Sequence, residues 1–423
     1  YHIFCCLCYT DDNVDNWEGF VMSLNDTPRA NRLHIGLFGR RNSGKSSLVN
    51  ALTGQQVATV SAVPGTTTDP VYKAMELHGI GPVVFIDTAG FDDEGVLGQL
   101  RVEKTALAAK ETDIALVLFH DEDMVEEIGW VKRFQQLGTP VIAVISQIDA
   151  LADDGRKLQE VVQAVVKKPP VLVSARDGLG LDALRGELIR QLPEGYEQPS
   201  ITGALCQAGD TVMLVMPQDI QAPKGRLILP QMQTLRELLD KKCQVMSCTT
   251  DCMAAALTGL REPPALIITD SQAFRMVYAM KPAGSRLTSF SVLFAGYKGD
   301  IGYFTESARQ IGQLPAEAHI LIAEACTHRP LSEDIGRIKI PRLLRKKLGN
   351  GIRITVTAGR DFPDDLAGID FVIHCGACMF NRKYVLSRVA QCREQGVPMS
   401  NYGITIAALL GILDDVELPE ENI

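Results

Sequence analysis

"RLHIGLFGRRNSGKSSLVNALTG", residues 32–54, decides how the chain begins to fold. An apolar run leads into a glycine-bearing loop and then into a segment with helical periodicity. The loop fits G-x-x-x-x-G-K-[ST] from Gly39 to Ser46. Such a loop closes backbone N–H groups around phosphates, and the helix that follows adds the positive end of its dipole. Ser43, Gly44 and Ser47 belong to this cradle. Lys45 is expected on the β- and γ-phosphates of a nucleotide and Ser46 on a magnesium ion. A strand, a phosphate loop and a helix in this order predict an α/β fold.

The stretches that follow extend the site. "PVVFIDTAGFDD" (82–93) ends an apolar strand at Asp87, whose carboxylate can hold magnesium through water, and its Gly90 N–H can sense a γ-phosphate. "PGTTTDPV" (64–71) offers Thr67 to close over the metal. Segments ordered by a triphosphate and released on hydrolysis make a switch. In "VIAVISQIDA" (141–150), Asp149 can accept from the N1 and N2 hydrogens of guanine, which adenine lacks, so the expected nucleotide is GTP. GTPases usually show Asn-Lys-x-Asp there. Ser146-Gln147 replaces the first two, and the expectation is that side contacts are lost. "VLVSARDGLG" (171–180) supplies Ser174 and Ala175 beneath the base. Phe91 stands where many switch GTPases carry a water-orienting Gln, which predicts slow hydrolysis. Asn42 resembles the residue with which GTPases of the TrmE–Era group bind potassium, a cation that can stabilise the transferring phosphate as an arginine finger does. The alternative for Asn42 is a loop-capping side chain.

A chain of 423 residues accommodates roughly two to four domains. Its formal charge of -9 argues against a nucleic-acid binder, and no apolar stretch reaches the roughly 20 residues that span a bilayer. Eleven cysteines are too dilute for a secreted disulfide scaffold and suit a reducing, cytoplasmic setting. Residues 1–28 read as a lead-in whose first 21 residues lack Lys and Arg, with Cys5, Cys6 and Cys8 treated as unstructured. A phosphate-loop domain is expected over 29–195. "LPEGYEQPS" (192–200) reads as a linker, and 200–283 as a second α/β unit for packing and dimerisation, with Cys243, Cys248 and Cys252 as buried thiols. A third α/β unit is expected over 284–423, opening with a strand and a turn in "SRLTSFSVLFAGYKG" (285–299). The basic run "RLLRKKL" (342–348) reads as a solvated helix face.

The third unit carries the other candidate chemistry. "HILIAEACTHRP" (319–330) and "GIDFVIHCGACMFN" (368–381) are apolar strands ending in Cys326-Thr327-His328 and in His374-Cys375 with Cys378. Ends of parallel strands meet on one rim, so C-x-H and H-C-x-x-C can converge. Zinc would take four of these ligands. An iron–sulfur cubane would take three cysteines and leave one iron for histidine, water or an incoming molecule. A dithiol redox pair at Cys375 and Cys378 leaves the first motif without a role.

From about Met22 onward, the phosphate loop, the α/β middle and the paired C-x-H and H-C-x-x-C motifs together resemble the FeFe-hydrogenase maturation GTPases, the HydF family. The resemblance implies a 4Fe-4S cluster on Cys326, Cys375 and Cys378, with His328 and His374 matching the family motif. It implies a scaffold or carrier for the two-iron precursor of the hydrogenase active site, a homodimer formed through the middle unit, and two radical-SAM maturases and the FeFe hydrogenase apoprotein as partners. The rival reading is a TrmE/Era-like regulatory GTPase of RNA modification or ribosome assembly with a structural zinc.

Overall fold

The computed structural model describes residues 27–53, 70–88, 96–193, 200–217, 227–325 and 334–420. Its strands form three sheets, of six, four and four strands. The first unit runs β1 (Leu33–Phe38), α1 (Lys45–Thr53), β2 (Val71–Leu77), β3 (Gly81–Asp87), α2 (Val96–Glu111), β4 (Ile114–Phe119), α3 (Val125–Gln136), β5 (Val141–Ile145), α4 (Arg156–Val166), β6 (Val171–Leu172) and α5 (Leu181–Arg190). Strand order is β2-β3-β1-β4-β5-β6, with β2 antiparallel to β3 and the other pairs parallel. β1, β4 and β5 are buried at every position, as unbroken apolar strands covered on both faces should be. One face packs on Leu48, Val49 and Leu184, and the other on Trp130, Phe134 and Val162.

The second unit holds β7 (Thr211–Val215), α6 (Leu229–Asp240), β8 (Gln244–Cys248), α7 (Met253–Gly259), β9 (Leu266–Thr269), α8 (Phe274–Met280) and β10 (Arg286–Ser289), and then α9 (Phe290–Lys298). The third holds α10 (Ile301–Gln310), β11 (His319–Glu324), α11 (Ile340–Leu348), β12 (Arg353–Ala358), β13 (Phe371–His374), α12 (Arg382–Glu394), β14 (Met399–Asn401) and α13 (Tyr402–Leu410). Both sheets are parallel, in the orders β10-β9-β7-β8 and β12-β11-β13-β14. In all three sheets the first strand lies inside, with later strands added on both sides. The crevice at the carboxyl end of such a strand is where open α/β sheets bind ligands. The phosphate loop follows β1 and residue 326 follows β11.

Three local expectations are corrected. Arg286–Ser289 does not open the third unit; it pairs with β9 and completes the second sheet. "FSVLFAGYK" after it is a helix, α9, capped by Ser289 and buried nearly all round, a burial that the apolar run satisfies as a helix as readily as it would as a strand. Among the middle cysteines Cys243 is buried, but Cys248 is half-buried and Cys252 exposed. The basic helix α11 does present Arg342, Arg345 and Lys346 to solvent over a buried Leu344. Among the described residues no helix is long and apolar enough to cross a membrane.

The second and third sheets share one apolar core, in which Met213, Ile267 and Phe274 join Phe304, Ile320, Ile322 and Ile404. The first unit is docked differently, by polar contacts at the end of α2. Glu111 accepts from Arg360 Nε at 2.7 Å and Nη2 at 2.9 Å, and from the Tyr72 hydroxyl at 3.0 Å. Its carbonyl accepts from Asn381 Nδ2 at 2.7 Å, and Lys383 donates to the Leu137 carbonyl at 3.1 Å. Arg360→Ala leaves the Glu111 carboxylate buried without its guanidinium, a loss on the order of 1–3 kcal/mol of docking energy. Hydrogen exchange should then quicken at the end of α2 and the start of α12, and not in β9.

Behind this seam the His34 N–H donates to Asp113 Oδ2 at 2.8 Å. Burial raises the Asp113 carboxyl from 3.8 to about 7, and burial lowers the His34 imidazole from 6.5 to about 4. Folded Asp113 keeps a proton that the unfolded chain releases, so its contribution to stability falls as pH rises from about 4 to 7. Folded His34 excludes a proton that the unfolded chain takes up, so its contribution rises between about 4 and 6.5. The two oppose each other. Asp113→Asn removes the falling part, so the urea midpoint of this variant should climb more steeply with pH across that interval than the midpoint of the unaltered protein.

Candidate functional site

The phosphate loop is held from several sides. Lys45 begins α1 and is nearly buried, with Nζ donating to the carbonyls of Gly39 and Arg40, both at 2.8 Å. Its ammonium is thereby folded into the loop that would surround a phosphate. Ser46 Oγ donates to Asp87 Oδ2 at 2.6 Å, which brings together the hydroxyl and carboxylate expected to serve magnesium. Asn42 (φ 60°) and Gly44 (φ 85°) take left-handed backbone, which lets the loop curl and its N–H groups converge. The Ser43 hydroxyl is buried without a protein partner. Ser47, on the first turn of α1, faces solvent. Arg40 is gripped by the carboxylates of Asp121, Asp123 and the buried Glu127, so the loop is pinned to the segment after β4. These features fit a bound nucleotide with magnesium. Thr67, Gly90 and Phe91 lie outside the described residues.

The base-side loops are tied to the phosphate loop. Ser146 and Gln147, which replace the usual Asn and Lys, both bond to the phosphate loop. The buried Ser146 hydroxyl donates to the Ser43 carbonyl at 2.7 Å, and Gln147 Nε2 donates to the Asn42 carbonyl at 2.6 Å. Asp149 is exposed, where a base could reach it, and accepts from Ser174 Oγ at 2.8 Å. Ala175 follows, half-buried. Ser146→Ala leaves the Ser43 carbonyl without that donor. GTP affinity, read by titration calorimetry, should weaken roughly fivefold, about 1 kcal/mol.

The second centre lies on the rim of the third sheet. β11 and β13 are adjacent and parallel, with Ala323 opposite His374, so both chains leave the sheet at the same place. The Ala325 N–H donates to Cys375 Sγ at 3.0 Å, and the Cys375 N–H donates to the Ala323 carbonyl at 3.0 Å. Ala377 takes left-handed backbone (φ 52°) and turns the chain between the two cysteines. Ala325, Ala377, Phe380, Tyr384 and Val385 form a small apolar cluster with Cys375 packed against it. Burial pushes the Cys375 thiol up to about 11, against the pull of the Ala377 and Ala325 N–H groups. Cys326 and His328 lie outside the described residues, and among the described residues no group of three or more His, Cys, Asp or Glu gathers as a metal set.

His374, expected as a ligand, is held by protein groups on both sides. Its ring is buried and both nitrogens are taken: Nδ1 against the Cys375 carbonyl at 2.8 Å, Nε2 against Arg388 Nη1 at 2.8 Å. Arginine only donates, so Nε2 accepts and Nδ1 carries the proton. Burial and the neighbouring Arg388 lower its pKa to about 3, so the ring is neutral. It braces the cysteine loop from behind. Two residues that motif reading missed stand beside this loop, Lys298 at the end of α9 and Arg388 on α12. The signal for Lys298 is a lysine closing a mostly apolar helical run. Arg388 gave no such signal.

The fold and this pair of centres define a P-loop GTPase extended by two parallel α/β sheets, the last bearing a cysteine loop. Residues 34–147 match the model described as 50S ribosome-binding GTPase. Residues 201–299 match the Hydrogen maturase F dimerization domain, and residues 302–417 its tetramerization domain. The chain belongs to the HydF family. It is also similar to GTPase Der of Wolinella succinogenes, 31% identical over 43% of this chain and 42% of that protein. To tRNA modification GTPase MnmE of Heliobacterium modesticaldum it is 36% identical, over 38% of this chain and 34% of that protein. The chain thus spans well under half the length of these curated relatives. Among solved structures, an Era variant from Aquifex aeolicus bound to GDP and aluminium fluoride aligns at 22% identity and TM-score 0.35, over 51% of this chain and 92% of that one. The cytosolic domain of T. maritima FeoB in a GDP form aligns at 21% and 0.29, over 38% and 62%.

Proposed function

We propose that this protein hydrolyses GTP with magnesium and carries an iron–sulfur site on its third sheet, serving FeFe hydrogenase maturation as scaffold or carrier of the two-iron precursor. What supports the carrier reading most is the bond from the Ala325 N–H to Cys375 Sγ, which brings the residue preceding Cys326 against the C-x-x-C loop. Three cysteines would hold three irons of a 4Fe-4S cluster. When bound, that cluster supplies one iron open to an exchangeable ligand. With both ring nitrogens of His374 engaged, His328, water or the incoming precursor is left for that position.

The nucleotide half of the proposal assigns Lys45 to the phosphates, Ser46 and Asp87 to magnesium, Thr67 and Gly90 to sensing the third phosphate, and Asp149, Ser174 and Ala175 to guanine. Asn42 is assigned a potassium ion. Lys45→Ala should abolish hydrolysis, and potassium should speed hydrolysis where sodium does not; equal rates in the two salts would remove that role from Asn42. The proposed assembly is a homodimer through residues 201–299, with two radical-SAM maturases and the hydrogenase apoprotein as cytoplasmic partners.

The deciding experiment is metal analysis after anaerobic purification and reconstitution with iron and sulfide. Cys326→Ala, Cys375→Ala and Cys378→Ala should each lose stable iron, whereas His374→Ala should keep iron with an altered spectrum. Stoichiometric zinc with no iron taken up would overturn the carrier reading and favour a regulatory GTPase with a structural zinc.

A further inference from the structure

The segment from His374 to Phe380 is flanked by two buried cations, neither of which meets a carboxylate among the described residues. Lys298 is 2% exposed and donates to the carbonyls of Ala377 at 3.1 Å, Cys378 at 3.4 Å and Phe380 at 2.7 Å. Arg388 is also 2% exposed. It donates to His374 Nε2 and to the Gly359 carbonyl, both at 2.8 Å, and to the Tyr384 hydroxyl at 3.2 Å. The rings of Phe362, Phe380 and Tyr384 stand 4.7–4.9 Å from its guanidinium carbon, and its Nε has no partner. Among the described residues neither cation has a carboxylate within ion-pair distance.

Burying an ion costs several kcal/mol even after relaxation, and the cost is tolerated when an opposite charge shares the site. Carbonyl dipoles and aromatic faces offset part of it and leave the net charge in place. His374 cannot supply an anion, because its neutral ring already donates through Nδ1 and accepts through Nε2. Among the described residues, the ionisable groups beside these cations are the Tyr384 hydroxyl, the Cys392 thiol and the sulfurs of the C-x-x-C loop. Burial holds Cys392 protonated, and only the loop sulfurs are expected to take a metal. Lys298 reaches the Cys378 carbonyl, and Arg388 reaches the Cys375 carbonyl through the His374 ring.

We propose that Lys298 and Arg388 form a fixed positive field that offsets the net negative charge of a metal–thiolate group on Cys375 and Cys378 and raises the reduction potential of that group. The proposal rests on the iron–sulfur reading above. Arg388 is a positioning residue that acts through the His374 ring and through its charge. Lys298 comes from the preceding unit, so the field is complete only when α9 is seated against the loop. A cluster that gains one electron from added dithionite becomes one charge more negative, and a nearby cation favours that state.

The test is an EPR-monitored dithionite titration of anaerobically reconstituted protein, with iron content measured and folding checked by circular dichroism. Arg388→Gln and Lys298→Met should each shift the midpoint to lower potential, and Arg388→Lys, which keeps the charge, should return most of the shift. An unchanged midpoint in folded, iron-loaded Arg388→Gln and Lys298→Met overturns the field and leaves the iron–sulfur reading standing. No iron in the unaltered protein overturns that reading itself. If Arg388→Gln folds without taking up iron, loading restored by Arg388→Lys supports the proposal, and loading not restored overturns it. If Arg388→Gln does not fold, the midpoint of Lys298→Met decides.

Discussion

The arrangement of the molecule turns on the carboxylate of Glu111. It sits 5% exposed at the end of α2, and a charge so far from water has to be paired. Arg360 and Tyr72 pair it, and the Glu111 carbonyl takes the amide of Asn381. Asn381 in turn caps α12 and closes the segment that carries Cys375 and Cys378. α2 starts a few residues beyond Asp87, the carboxylate bonded to Ser46. The far end of α2 is thereby fixed at the base of the cysteine loop.

What could be read in the amino-acid order was what is local in it. The phosphate loop, the apolar strands β1, β3 and β5 and the strands leading to the cysteines are each written in one short window, and the structure has them there. What escaped was decided across the chain. The bonds of Ser146 and Gln147 to the phosphate loop leave no mark in their own window, because the carbonyls they serve lie 103 and 105 residues away. The strand at Arg286–Ser289 carries no mark of which sheet it joins. β14, three residues long, gives too little period to detect. His374 beside two cysteines invites assignment as a ligand, and only the position of Arg388 shows that its second nitrogen is spoken for.

The two centres differ in how they are built. Around Lys45 nearly every restraint is a hydrogen bond between loops, a framework that can loosen and re-form as a ligand enters. Around Cys375 apolar packing and two buried cations add to the hydrogen bonds and to the left-handed turn at Ala377. A nucleotide that comes and goes suits the first kind of support, and a resident or slowly exchanged metal group suits the second.

The common core of the second and third sheets has an evolutionary meaning. Phe274 and Phe304 bury each other's neighbourhood, so a substitution on either side changes the fitness of residues on the other, and the two units must drift together. The first unit, joined through polar contacts such as Arg360–Glu111, Asn381–Glu111 and Lys383–Leu137, is less bound in this way. Recombination can pass a unit of that kind between genes, and a few surface substitutions can fit it to a new host. A chain assembled this way would acquire its nucleotide switch as a removable part, while the pair of sheets behind the cysteines would be inherited whole.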